Sequence, residues 1–145
     1  MAKIILTNTE SSAGVKISGT GASETISLNS DLLVANRLVL DGATQIVNID
    51  TITWAGNLNS VIKISRGGAD IITLLGEQPN QIVFDQLGFN ESQNNTSNIV
   101  VTITGEGYLY LGLRKVSGYK QTYNPGLLGI YDNQSIADVP VNPNP

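Results

Sequence analysis

The chain contains no cysteine and no histidine. Their absence removes thiol nucleophiles, disulfides, imidazole metal ligands and every Ser-His or Cys-His pair. Charge is also scarce, at 14% of residues against about 25% in ordinary soluble domains. Eight Lys and Arg against twelve Asp and Glu leave a net charge of −4, without the basic face that a duplex-binding protein presents. No apolar run approaches the roughly 18 residues of a membrane span. The opening "MAKIILTNTE" has one lysine and three consecutive apolar residues, too few for the apolar region of a signal peptide. A protein made in a cytosol, with neither nucleic acid nor membrane as partner and no cofactor or metal, is the expectation.

What remains is a polar surface built from Ser, Thr, Asn, Gln and Gly. Charge usually keeps proteins apart, so this surface is poorly defended against association. At 145 residues the chain fits one domain, large enough to form a core without a disulfide or metal.

Short β-branched runs separated by Gly, Asn, Asp and Ser read as strands. "KIILTN" comes first, followed by "GVKIS" and "ETISL" joined through Gly19-Thr20-Gly21. "LLVANRLVL" and "TQIVNIDTITW" flank Asp41-Gly42, a type I′ hairpin signal. Ser30-Asp31 could instead cap a short helix through that first run, but the Asp-Gly turn favours a strand. "SVIKIS" and "DIITLL" surround Gly67-Gly68, "QIVFD" follows the turn at 77–80, and "NIVVTIT" and "YLYLGLRKV" surround Gly105-Glu106-Gly107. The spacing predicts an all-β fold, an antiparallel β-sandwich or barrel of short hairpin-linked strands over residues 1–118.

Parity sharpens the prediction. Ile99, Val101 and Ile103 share one face, and Leu109, Leu111 and Leu113 align opposite them in the last hairpin, which leaves Tyr108, Tyr110 and Arg114 outside. Val47 and Ile49 occupy one register and Ile52 and Trp54 the other. A single regular strand cannot point both pairs inward, so a β-bulge is expected near Asp50-Thr51. From Tyr119 onward the chain carries four of its five prolines and no hairpin partner, the composition of an extended arm over 119–145.

"SRGGADIITLLG" (65–76) has the glycines of an anion loop, but no helix follows and the P-loop spacing is missing. A hairpin turn explains it, with Arg66 paired to Asp70 or to a neighbour's carboxylate. Glu77 and Asp85 flank one strand without the spacing of an acid/base pair. "DNQSIAD" lacks the pattern of a calcium loop. All five tyrosines lie at or beyond residue 108. Tyr108, Tyr110, Arg114, Tyr123 and Tyr131 suit either packing on a sheet face or an interface, where Tyr and Arg are enriched. Leu127, Leu128, Ile130 and Tyr131 are apolar anchors in the arm. They could dock on the arm's own domain or, by strand addition, on another chain.

The runs "TWAGNLNSVIKISRGG", "LLGEQPNQIVFDQLGF" and "IVVTITGEGYLYLGLRKVSGY" carry Trp54-x-Gly56, Ile64-x-Arg66, Phe84 and an alternating Leu strand ending at Lys115. Over roughly 52–119 this resembles small β-rich accessory virion proteins of tailed bacteriophages. The resemblance implies a non-enzymatic, homo-oligomeric structural protein located on the virion. Such a protein decorates the capsid by binding the major capsid protein or another virion protein, and the family has no catalytic residues to transfer. The alternative is a tail- or fibre-associated carbohydrate-binding β-module that uses exposed Tyr and Asn.

Overall fold

The computed structural model describes residues 1–34, 44–84 and 95–119. They form seven strands: β1 (Ala2–Asn8), β2 (Ser12–Ile26), β3 (Ile46–Gly56), β4 (Val61–Arg66), β5 (Ala69–Leu75), β6 (Asn80–Val83) and β7 (Ile99–Ser117). All pairings are antiparallel. The expected all-β antiparallel architecture is present, and the sheet is not closed into a barrel.

The two longest strands set the architecture. β2 pairs with β7 from Ser12↔Arg114 to Ile26↔Ile99. On its other side β7 pairs with β4 through Ile99–Thr104 and with β3 from Gly107 to Ser117. Arg66 stands opposite Ile99 and Val47 opposite Lys115, at opposite ends of β7. A straight strand would separate those ends by about 50 Å. Yet Arg66 Nη1 donates to the Val47 carbonyl at 2.7 Å. The ribbon is therefore folded back on itself, and its halves lie in two facing layers. One layer runs β1, β2, β7, β3, β6; the other runs β2, β7, β4, β5.

The bend lies where Gly19 pairs with Gly107 and Thr20 with Glu106, and the register shifts immediately beyond. Gly19, Gly21 and Gly105 have positive φ (140°, 66° and 79°), a region that costs an L side chain free energy. This corrects the sequence expectation that each glycine group closes a hairpin. A type I′ turn needs two successive residues at positive φ, as at Gly67 (58°) and Gly68 (81°), where β4 does turn into β5 as expected. Around Thr20 the positive values are interrupted, and beside Glu106 only Gly105 has one. Both strands therefore bend and continue. The parity of Leu109, Leu111 and Leu113 is as expected, but they extend the strand of Ile99, Val101 and Ile103 rather than face it.

Two short links cross between the layers at the same corner: Asn57–Ser60 joins β3 to β4, and Gly76–Pro79 joins β5 to β6. Buried Ser60 sits between them. Its Oγ donates to the Asn57 carbonyl at 2.7 Å, and its own carbonyl accepts from Gly76 N–H at 2.9 Å. A methyl group on Gly76 would stand 1.8 Å from that Oγ, and one on Gly105 would stand 3.1 Å from Ser60 Cα.

The core is a single cluster filled by both layers, including Val15, Ile17, Ile26, Ile52, Ile62, Ile64, Ile99, Val101, Ile103, Leu109 and Leu111. Each such side chain contributes about 1.5–3 kcal/mol on burial. The expected bulge is present: Ile49 pairs with Leu113 and Thr51 with Gly112, which leaves Asp50 as the extra residue. Val47, Ile49, Ile52 and Trp54 are all buried as a result.

The strand expected from Leu32 is absent where it can be followed. Residues 27–33 form turns, with Asp31 N–H donating to the Ser27 carbonyl and Ser27 N–H to Asp31 Oδ2 at 2.8 Å. Asp31 thus favours a turn over extended backbone. The remainder of that run and Asp41-Gly42 lie outside the described residues.

Gly105→Ala should lower unfolding free energy by about 1–3 kcal/mol, because it combines positive φ with a crowded Cβ. A reduced midpoint in urea denaturation is the expected result.

Candidate functional site

At the end of the sandwich opposite the glycine corner, three side chains hold the layers and their long connecting segments together. Arg66 is the end of the Ile62, Ile64, Arg66 alternation and points inward with 0% exposure. Its Nη1 bonds to Val47 of the facing layer, Nη2 to the Asn95 and Ser97 carbonyls at 3.0 and 2.8 Å, and Nε to Ser97 at 3.1 Å. A planar guanidinium spreads its donors over three nitrogens in a fixed fork, a geometry that a single ammonium nitrogen cannot reproduce. The expected pairing with Asp70 is overturned. Asp70 lies outside and faces Lys63 at 3.9 Å, both exposed.

Lys115 ends the inward alternation of Leu109, Leu111 and Leu113 and is also buried. Its ammonium donates to Asn8 Oδ1, to the Thr9 carbonyl at 2.6 Å and to the Leu32 carbonyl at 2.6 Å. The Tyr119 ring lies 4.5 Å from the same nitrogen, within cation–π range. Tyr119 is 4% exposed, and its hydroxyl donates to the Leu28 carbonyl. The residue placed first in the arm therefore belongs to the body.

Burial pushes the Lys115 ammonium down to about 8. Burial raises the Tyr119 hydroxyl well above its ordinary value, although the Arg66 charge acts the other way. These shifts have opposite consequences for stability. Between about pH 8 and the unfolded lysine value of about 10.4, the unfolded chain holds more protons, so stability rises with pH. Above about 10, unfolded tyrosine ionises while Tyr119 stays protonated, so stability falls again.

The outer face of the first layer carries Tyr108, Tyr110 and Arg114 of the predicted contact residues. Register aligns Ile4, Lys16, Tyr110 and Thr53 in one row, and Ala2, Ser18, Tyr108 and Ala55 in the next. Tyr108 and Tyr110 are exposed, with centroids 5.4 Å apart in an edge-to-face arrangement. Lys16 Nζ lies 5.6 Å from the Tyr110 centroid. Arg114 is on this face as expected, 3.4 Å from Asp50, the residue that the bulge pushes outward. Ile4 and Leu6 of edge strand β1 are exposed as well. The face thus joins apolar, aromatic and cationic groups.

Tyr123, Leu127, Leu128, Ile130, Tyr131 and Asp85 lie outside the described residues, so the Glu77–Asp85 approach cannot be followed. Among the described residues no three Asp or Glu carboxylates gather as metal ligands would. Sequence reasoning used Lys115 as the end of the alternating Leu strand and put Arg66 at a hairpin turn. Continuing the parity of each strand by one step would have placed both inside.

No family model matches the chain, and no significant match emerges among curated proteins or solved structures.

Two predictions follow from the buried cations. Arg66→Lys should cost roughly 2–4 kcal/mol in urea unfolding, because several carbonyls lose their donors. The wild-type urea midpoint should be higher at pH 9.5 than at pH 7, and that gain should disappear in Lys115→Met.

Proposed function

We propose that this protein is a non-catalytic structural protein of a tailed-phage virion that decorates the capsid shell. The observation that carries the reading is the outer face of the first layer. There Ile4, Tyr108 and Tyr110 are exposed together, with Lys16 and Arg114 among them. Aromatic and Arg side chains on a sparsely charged surface are what a protein contact uses. The resemblance of residues 52–119 to phage accessory proteins supplies the partner, the major capsid protein or another virion protein. On a symmetric shell, modest contacts repeated many times give avidity without high affinity at any one site.

The C-terminal segment is a second contact in this reading. Tyr119, the last described residue before it, has its ring against the Lys115 ammonium, which also donates to Asn8 at the end of edge strand β1.

Co-expression with the major capsid protein of the same genome, followed by sedimentation of the assembled shells, tests the proposal. The full chain should pellet with shells. A chain ending at Tyr119 should remain folded by circular dichroism and stay largely in the supernatant. A full chain that never co-sediments would overturn the decoration role, and equal pelleting of the shortened chain would overturn the arm's part in it.

A further inference from the structure

On the outer face, where the ribbon bends, lies an open groove of about 590 Å³. Gly19, Ala55, Gly56 and Gly107 line its floor. The groove has the size of a small-molecule site, for which about 300–1,000 Å³ is usual. The decoration reading uses Tyr108 and Lys16 at its margin and gives the rest of this concavity no role.

Three features define what would fit. Tyr108 forms one wall. Its register neighbours are Ser18 on β2 and Ala55 on β3, both too small to cover a ring, so the aromatic face stays open apart from the edge contact with Tyr110. Opposite the floor, Asn57 Nδ2 donates to Glu106 Oε1 at 2.8 Å, and Asn57 N–H donates to the Glu106 carbonyl at 2.9 Å. That pair fixes two long side chains in one orientation. It leaves the second carboxylate oxygen and the Asn57 amide oxygen as acceptors on two residues that line the groove. Lys16 and Ser18 supply donors along the β2 side.

We infer that this groove binds a neutral saccharide, with Tyr108 against a sugar ring and the Glu106–Asn57 pair accepting hydrogen bonds from a vicinal diol. An aromatic wall beside a fixed pair of acceptors suits a sugar because one ring presents both C–H and O–H groups. An acidic sugar would meet the Glu106 carboxylate and be disfavoured. A flat apolar ligand would leave the acceptors facing it unpaired. The site needs no partner subunit, so it stands or falls separately from capsid decoration.

Amide chemical-shift titration of the ¹⁵N-labelled full chain with maltotriose, cellotriose and chitotriose, each to about 20 mM, tests the inference. At least one trisaccharide should give saturable shifts centred on Ser18, Ala55, Asn57, Gly107 and Tyr108, with a dissociation constant of about 0.1–5 mM. Tyr108→Ala and Glu106→Gln should each weaken that binding by about tenfold while leaving the remaining spectrum in place. Tyr110→Ala, outside the groove, should change it by less than about twofold. Absence of saturable shifts with all three sugars would overturn the inference. So would shifts centred elsewhere, or binding indifferent to both groove variants.

Discussion

The molecule depends on one constraint: two long strands must pass together through a single corner and keep pairing on both sides of it. β2 and β7 belong to both layers, so bending their ribbon creates the sandwich. The bend requires backbone that L side chains resist, and glycine supplies it at positions 19, 21 and 105. It also requires close approach, which explains why Ser60 is surrounded by Gly56 and Gly76, with no room for a Cβ on either, and by Gly105, where a Cβ would be tight. The short links between layers cross at the same place. The corner is consequently dense and covalently tied, and the groove lies on its outer side.

The opposite end solves a different problem. There the layers are joined by long segments whose backbone carbonyls must find donors if they are to be buried. Two cations and one tyrosine supply those donors, and each reaches between elements far apart in sequence. Burying a cation carries a desolvation cost, visible in the depressed Lys115 value. Several carbonyl bonds per cation offset that cost, and they also fix where each segment enters the fold. Specificity of arrangement is the gain, because an apolar side chain at either position could fill space without selecting a carbonyl.

Much of this was legible in the residues. Alternation gave the strand faces, the Gly67-Gly68 pair gave the hairpin, and the broken parity across Asp50 gave the bulge. The corner was not legible, because Gly-x-Gly punctuates a bend and a reversal alike. The two differ in whether positive φ values fall on successive residues, a property of the folded backbone. The interior place of Arg66 and Lys115 was available from parity but was masked by the expectation that charged residues lie outside. The groove could not be read at all. Asn57 and Glu106 are 49 positions apart, and only the crossing of the β3–β4 link over the bend of β7 brings them together.

The position of β7 in the chain has a consequence in time. It is the last strand of the body to be synthesised and the direct partner of β2, β3 and β4. Until it emerges, the apolar faces of those three strands have no central neighbour. The folding nucleus therefore waits on contacts of long sequence separation, which are slow to form. While it waits, the nascent chain presents unpaired strands that other copies can capture. A high rate of synthesis would raise the concentration of such half-finished chains, so soluble yield is governed by how quickly β7 finds its place between its neighbours.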